Sequence, residues 1–145
     1  MRECVFCDSR NIASREEVLR TQHVRVFPTN IPITSGHMLV CPTRCISTID
    51  ELSQVEKTEL FETVVRVKKA LKKALSADGF NCAWNEGEVA GQAVPHLHIH
   101  IVPRKEGDTG ITDYEPRQFL YRPGSRETSQ EEELRAIAEI VRKAL

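Results

Sequence analysis

A chain of 145 residues, 40% hydrophobic and 28% charged, has the size of one folded domain, able to bury about two-thirds of the surface its unfolded form exposes. Its formal net charge of −1 excludes a global basic field for nucleic acid or an anionic membrane, but not small phosphate ligands, which need only local donors. No apolar run approaches the ~20 residues of a membrane span, and the opening MRECVFCDSR lacks the apolar core of a signal peptide, so a cytoplasmic protein is expected.

The first punctuation is Cys4-x-x-Cys7. With Cys41, Cys45 and Cys82 the chain has five cysteines, an odd number that points to metal ligation, redox work or burial in a reducing compartment. HVRVF (23–27) alternates like a strand, and PTNIPITSG (28–36) reads as a loop from Pro28, Pro32 and Gly36. HMLVCP (37–42) reads as a mostly buried strand. Ser53 and Glu56 form a capping box for a long helix with apolar Leu60, Val64, Val67, Leu71 and Leu75, stopped by Gly79. FNCAWNE (80–86) is a further strand, followed by a Gly-containing loop and then the strand PHLHIHIVPR (95–104). A polar, turn-rich stretch from about 107 to 126 precedes a final helix, capped by Ser129 with Glu132, whose apolar positions are Leu134, Ile137, Ala138, Val141 and Leu145. The order strand, strand, helix, strand, strand predicts an α+β fold: an antiparallel sheet with one long helix packed on it, plus a C-terminal helix. Strand pairing stays open at this point.

Side chains alternate faces along a strand, so His96, His98 and His100 share one face while Leu97, Ile99 and Ile101 share the other and can pack on the long helix. Three imidazoles in strict alternation point to a site rather than a solvent-filling surface. Positions i, i+2 and i+4 on a nearly straight strand cover about 13 Å, too far for one ion with bonds near ~2 Å. They suit an extended ligand such as a phosphate chain, with one imidazole attacking phosphorus while its neighbours handle protons and charge.

PHLHIHIVPRK resembles the His-x-His-x-His-x-x motif of the histidine-triad (HIT) family, SGHMLVCPTR its Gly-His-x-Leu-Val-x-Pro segment, and NEGEVAGQAV its Asn-x-Gly…Gly-Gln loop. The resemblance covers roughly residues 3–105 and implies a HIT domain at 1–112 with a C-terminal extension at 113–145. It further implies an α+β nucleotide hydrolase or transferase, commonly a homodimer. His98 would be the nucleophile at the α-phosphorus, giving a nucleotidyl-histidine that water resolves. His100 would bind and help protonate the leaving oxygen, and His37 would hydrogen-bond the phosphate region. Gln92 would orient the leaving group, Asn85 would contact ribose or phosphate, and Phe27 and Ile12 would line the base slot. His at the third triad position favours hydrolysis, since the uridylyltransferase branch carries Gln there. VPRKEGD (102–108) is most like the fragile-histidine-triad and dinucleoside-polyphosphate hydrolase branch, which makes diadenosine tetraphosphate the model substrate, with Mg²⁺ compatible as its counterion. A phosphoramidase, a nucleotidyl transferase or phosphorylase, and a nucleotide-binding regulator with incidental turnover are the alternatives. Two departures bear on affinity: Ala93 where relatives carry Ser or Thr, and Thr29 where they carry Asp or Asn, with Thr29 or Asn30 as the substitute ribose contact.

The same resemblance rereads the cysteines. Some members hold a structural zinc at positions matching Cys4, Cys7, Cys45 and His96, a zinc-containing bacterial-type pattern. Cys₃His is a standard closed site, and such a zinc, one per chain, would fix His96 beside the nucleophile. Cys41 and Cys82, in apolar strands, are expected in the core. Lys68, Lys69, Lys72 and Lys73 read as a solvated helix face and Trp84 as core or rim, while FLYRP (119–123) could lean over the nucleotide or pack on a partner subunit.

Overall fold

The computed structural model describes residues 4–8, 16–108 and 128–145, and among these it contains five strands and two α-helices. The strands are β1 (Leu19–Arg20), β2 (Val24–Pro28), β3 (Met38–Pro42), β4 (Gly79–Ala83) and β5 (Ile99–Arg104); the helices are α1 (Gln54–Leu75) and α2 (Glu131–Ala144). All strand pairs are antiparallel, in the order β1-β2-β3-β5-β4, so the predicted α+β sheet-and-helix architecture is correct.

Register sorts the two faces. Val26, Val40 and Ile99 lie abreast across β2, β3 and β5, as do Met38 and Ile101 beside them. These residues pack on Leu60, Val64, Val67, Ala70 and Leu71 of α1, whose period of three and four positions presents one apolar stripe to the sheet. Fully burying a leucine such as Leu60 or Leu71 is worth about 1.5–3 kcal/mol, so this layer dominates the stability of the sheet. The row on the opposite face reads Phe27, Leu39, His100, Ala83, and this face carries the site. Helix α2 covers α1 and β2, with Leu134, Ala138 and Val141 buried. Its Arg142 guanidinium donates to the Glu17 carbonyl at 2.9 Å.

Several expectations need correction. The capping box of α1 is present, with Ser53 Oγ accepting from the Glu56 amide and the Glu56 carboxylate accepting from the Ser53 amide, but the helix ends at Leu75 rather than at Gly79. Ser76 itself turns left-handed, at φ 55° and ψ 39°, and returns its N–H to the Lys72 carbonyl; Gly79 begins β4 instead. Strand β5 begins at Ile99, because the amides of His96 and Leu97 bond Val94 and Ile46 carbonyls rather than a neighbouring strand ladder. Helix α2 starts after Gln130, without a side-chain cap from Ser129; the Ser129 amide instead donates to the Asn30 carbonyl at 2.8 Å. Cys82 is exposed, not core, because β4 is an edge strand, whereas Cys41 is fully buried as expected. Trp84 lies on the rim, edge-on to Phe61 at 6.3 Å.

Candidate active site

Hydrogen-bond partners fix the tautomer of each histidine in turn. His98 Nδ1 lies 2.7 Å from the His96 carbonyl, which only accepts, so Nδ1 holds the proton and Nε2 keeps its lone pair. Among the described residues no donor reaches that Nε2. Burial pulls His98 below the ordinary imidazole range, against the upward pull of its bond to the His96 carbonyl. The Ile33 amide donates to His37 Nδ1 at 3.1 Å, so His37 carries its proton on Nε2 and donates it to His100 Nδ1 at 2.9 Å. A ring accepting at both nitrogens would have no proton, so this direction is the one available. The proton of His100 is thereby left on Nε2. The His98 and His100 rings meet edge-on at 5.0 Å, with a lone pair on Nε2 of one and an N–H on Nε2 of the other.

Both rings line a cavity of about 360 Å³ that also takes in Phe27, Thr29, Asn30, Leu39, Ala93 and Leu134. It is thus bounded by β2, β3, the loop before β5 and helix α2. Thr29 and Asn30 sit on its wall, the Thr29 hydroxyl accepting from the Ile31 amide at 3.3 Å. Gln92 and Asn85 are elsewhere. Gln92 is buried, with its carbonyl oxygen taking the Gly87 amide at 2.8 Å and its amide reaching the Ser47 carbonyl at 2.9 Å, while Asn85 donates to the Gly91 carbonyl at 3.3 Å. Both side chains brace the 85–92 loop rather than line the cavity. Ile12 lies outside the described residues, as does the 119–123 segment. His37 sits behind His100, off the cavity wall, and meets it at 2.9 Å.

His96 points away from the other two. Its Nε2–H donates to the Pro42 carbonyl at 2.8 Å, leaving the Nδ1 lone pair toward Cys4 Sγ at 3.3 Å and Cys7 Sγ at 3.5 Å. Burial lowers its affinity for a second proton. With Cys45 the four donor atoms all lie within 4.8 Å of one another, near the roughly 3.8 Å edges of a tetrahedral zinc–thiolate site. Thiols this close resist ionising together: Cys45 is pushed up to about 12 by desolvation and then by Cys4 and Cys7, and Cys7 is raised by desolvation and by Cys4. A divalent cation reverses that repulsion, and the prearranged imidazole lone pair completes the donor set. The residues fit a metal, and Cys4, Cys7, Cys45 and His96 would hold it.

Reading the sequence alone missed four contributors. Phe6, between the two knuckle cysteines, meets the rings of Phe27, His96 and His98 edge-on at 5.3, 5.8 and 5.1 Å. Arg25, buried and paired with Glu17 at 2.7 Å, donates to the Phe6 carbonyl. Leu39, opposite His100 in the β3–β5 register, showed only as strand core, and Leu134 showed only as an apolar helix position. Phe6 had a local signal, since any aromatic inside a metal knuckle is delivered wherever the ligands place it.

The chain is similar to known proteins. The asymmetrical bis(5'-nucleosyl)-tetraphosphatase of Schizosaccharomyces pombe is 39% identical over 94 residues, 65% of this chain and 52% of that protein, so the chain spans about half the length of that relative. A bis(5'-adenosyl)-triphosphatase of Dictyostelium discoideum is 33% identical over 130 residues, 86% of this chain and 87% of its own length. The crystal structure of a Zn-bound histidine triad family protein from Mycobacterium smegmatis superposes with a TM-score of 0.74 at 26% identity, covering 98% of this chain and 92% of that one. The HIT domain family matches residues 11–107, which includes all three histidines of the motif, and the chain belongs to that family.

Proposed function

We propose that the protein is a nucleotide hydrolase that cleaves a phosphoanhydride of dinucleoside polyphosphates through a nucleotidyl-histidine on His98. The observation that carries this reading is the pair of opposed tautomers: a lone pair on His98 Nε2 and a proton on His100 Nε2, both rings on one cavity wall. The names of the S. pombe and D. discoideum relatives support the substrate class.

His98 Nε2 attacks the α-phosphorus and forms a P–N bond as the bond from phosphorus to the bridging oxygen breaks. His100 Nε2–H hydrogen-bonds that oxygen, which leaves as the phosphate anion, and His37, fixed by the Ile33 amide, keeps His100 in the donating tautomer. Water then attacks the nucleotidyl phosphorus as the P–N bond breaks, its proton passes to solvent, and His98 leaves as the neutral imidazole. The His96 carbonyl takes up the growing positive charge on His98 through Nδ1–H without becoming protonated. The base slot between Phe27 and Leu39 and the ribose contacts at Thr29 and Asn30 complete the assignment. A structural zinc on Cys4, Cys7, Cys45 and His96 holds His96, and with it that carbonyl, in place.

A homodimer joined along β4 also belongs to this reading. That strand pairs only with β5 among the described residues, and exposed Phe61, Val65 and Trp84 lie on α1 and just beyond the strand.

Intact mass spectrometry without acid, after brief mixing with diadenosine tetraphosphate, tests the mechanism. An adenylyl adduct is expected on wild type and absent from His98→Asn, whose turnover falls at least ~10³-fold while nucleotide binding survives. Unchanged turnover in His98→Asn would overturn it. An intact substrate with no adduct moves the assignment to adenosine phosphoramidates.

A further inference from the structure

The metal knuckle and the cavity are one mechanical unit, and Phe6 is the shared part. We propose that Phe6 couples the two sites, so that binding of a divalent metal at Cys4, Cys7, Cys45 and His96 and binding of a nucleotide in the His98 cavity strengthen each other. The proposal rests on the nucleotide-site reading given above.

Phe6 sits inside a turn that closes on Cys4, whose carbonyl accepts from the Cys7 and Asp8 amides, each at 3.0 Å. Both cysteines that flank it face the metal site, so their sulfurs set where the Phe6 ring goes. The ring lines the cavity and stands edge-on to the nucleophile at 5.1 Å and 83°. The contact with His96 makes a second side of the same wedge, since His96 is a ligand on one nitrogen and orients His98 through its carbonyl. From the sheet side, the buried Arg25 guanidinium grips the Phe6 carbonyl and is itself held by Glu17. The turn thus has an anchor on its main chain, and its two sulfurs stand 3.3 and 3.5 Å from His96 Nδ1. Four metal bonds to Cys4, Cys7, Cys45 and His96 would confine the turn, and with it the aromatic wall on which a nucleoside packs. A nucleotide that packs on Phe6 confines the same turn and so favours the metal. Linkage requires the two effects to be equal, at roughly tenfold for a coupling of ordinary size.

The experiment uses the full chain and two probes, Zn²⁺ and adenosine 5′-monophosphate. Calorimetric titration gives the monophosphate affinity of the zinc-loaded and the chelated protein, with circular dichroism on each. Competition with a chromophoric chelator gives zinc affinity with and without the monophosphate. Wild type is expected to bind the monophosphate about tenfold tighter when loaded, and zinc tighter by the same factor when the monophosphate is present. Phe6→Ala keeps one zinc per chain but loses both enhancements, and Phe6→Leu recovers part. Equal monophosphate affinities in loaded and chelated wild type, both folded, overturn the coupling. If chelation unfolds the chain, loaded Phe6→Ala is compared with loaded wild type, and equal affinities overturn it. Loaded wild type that binds no monophosphate overturns the nucleotide reading itself, and the coupling falls with it.

Discussion

Three imidazoles in alternation are held in three different states because each finds a different partner. The Pro42 carbonyl turns His96 outward to the cysteines, the His96 carbonyl leaves His98 with an open nitrogen, and the Ile33 amide sets the direction of the His37–His100 pair. The column itself was legible from residues 96–100, but not these partners. They lie 54 and 63 positions away for Pro42–His96 and His37–His100, and they depend on the β3–β5 register that no local pattern specifies. A separation of 45 positions likewise hid the bond from the Gln92 amide to the carbonyl of Ser47. His37 offers a direct check. His37→Phe leaves the Ile33 amide and His100 Nδ1 without their partner, so His100 is released from its tautomer. We expect kcat to fall about 10²-fold with little change in KM. His37→Gln, which can accept from Ile33 and donate to His100, should retain most of the rate; a phenylalanine variant as active as wild type would remove His37 from the mechanism.

Among the elements, the amphipathic stripe of α1 and its capping box were readable because both are local. The helix end was not: Gly79 has the right residue type, but Ser76 makes the left-handed turn, since Leu75 still packs against the core and Gly36 sits tightly beneath it. A Cβ on Gly36, at φ 91°, would stand 2.4 Å from Leu75 Cδ1, so the helix end and the turn before β3 fix each other. Ser76 is exposed and its Cβ gains nothing from the αL conformation. Ser76→Gly is therefore expected to stabilise the protein by about 0.5–1 kcal/mol in urea titration without touching the cavity. A loss of stability would mean that the serine hydroxyl holds the turn.

At the scale of the molecule, the sheet places its two sites on one face and leaves the other to α1. Cys82 was misread as core because an apolar run looks the same in an edge strand as in a central one; only the order β1-β2-β3-β5-β4 tells them apart. If copies join along β4, Phe61→Glu with Trp84→Glu should convert the dimer to monomer in light scattering, with α1 and the knuckle intact. A dimer unchanged by that pair of charges would place the interface elsewhere. The two margins of this sheet are unequal: β4 has five residues, whereas β1 at the far side has two, one of them Arg20. A ribbon that elongates without limit needs an adhesive border at both ends, and among the described strands this one has a single such border. If copies join through β4, that association is self-terminating, and each protomer would exhaust its capacity for strand addition with one partner.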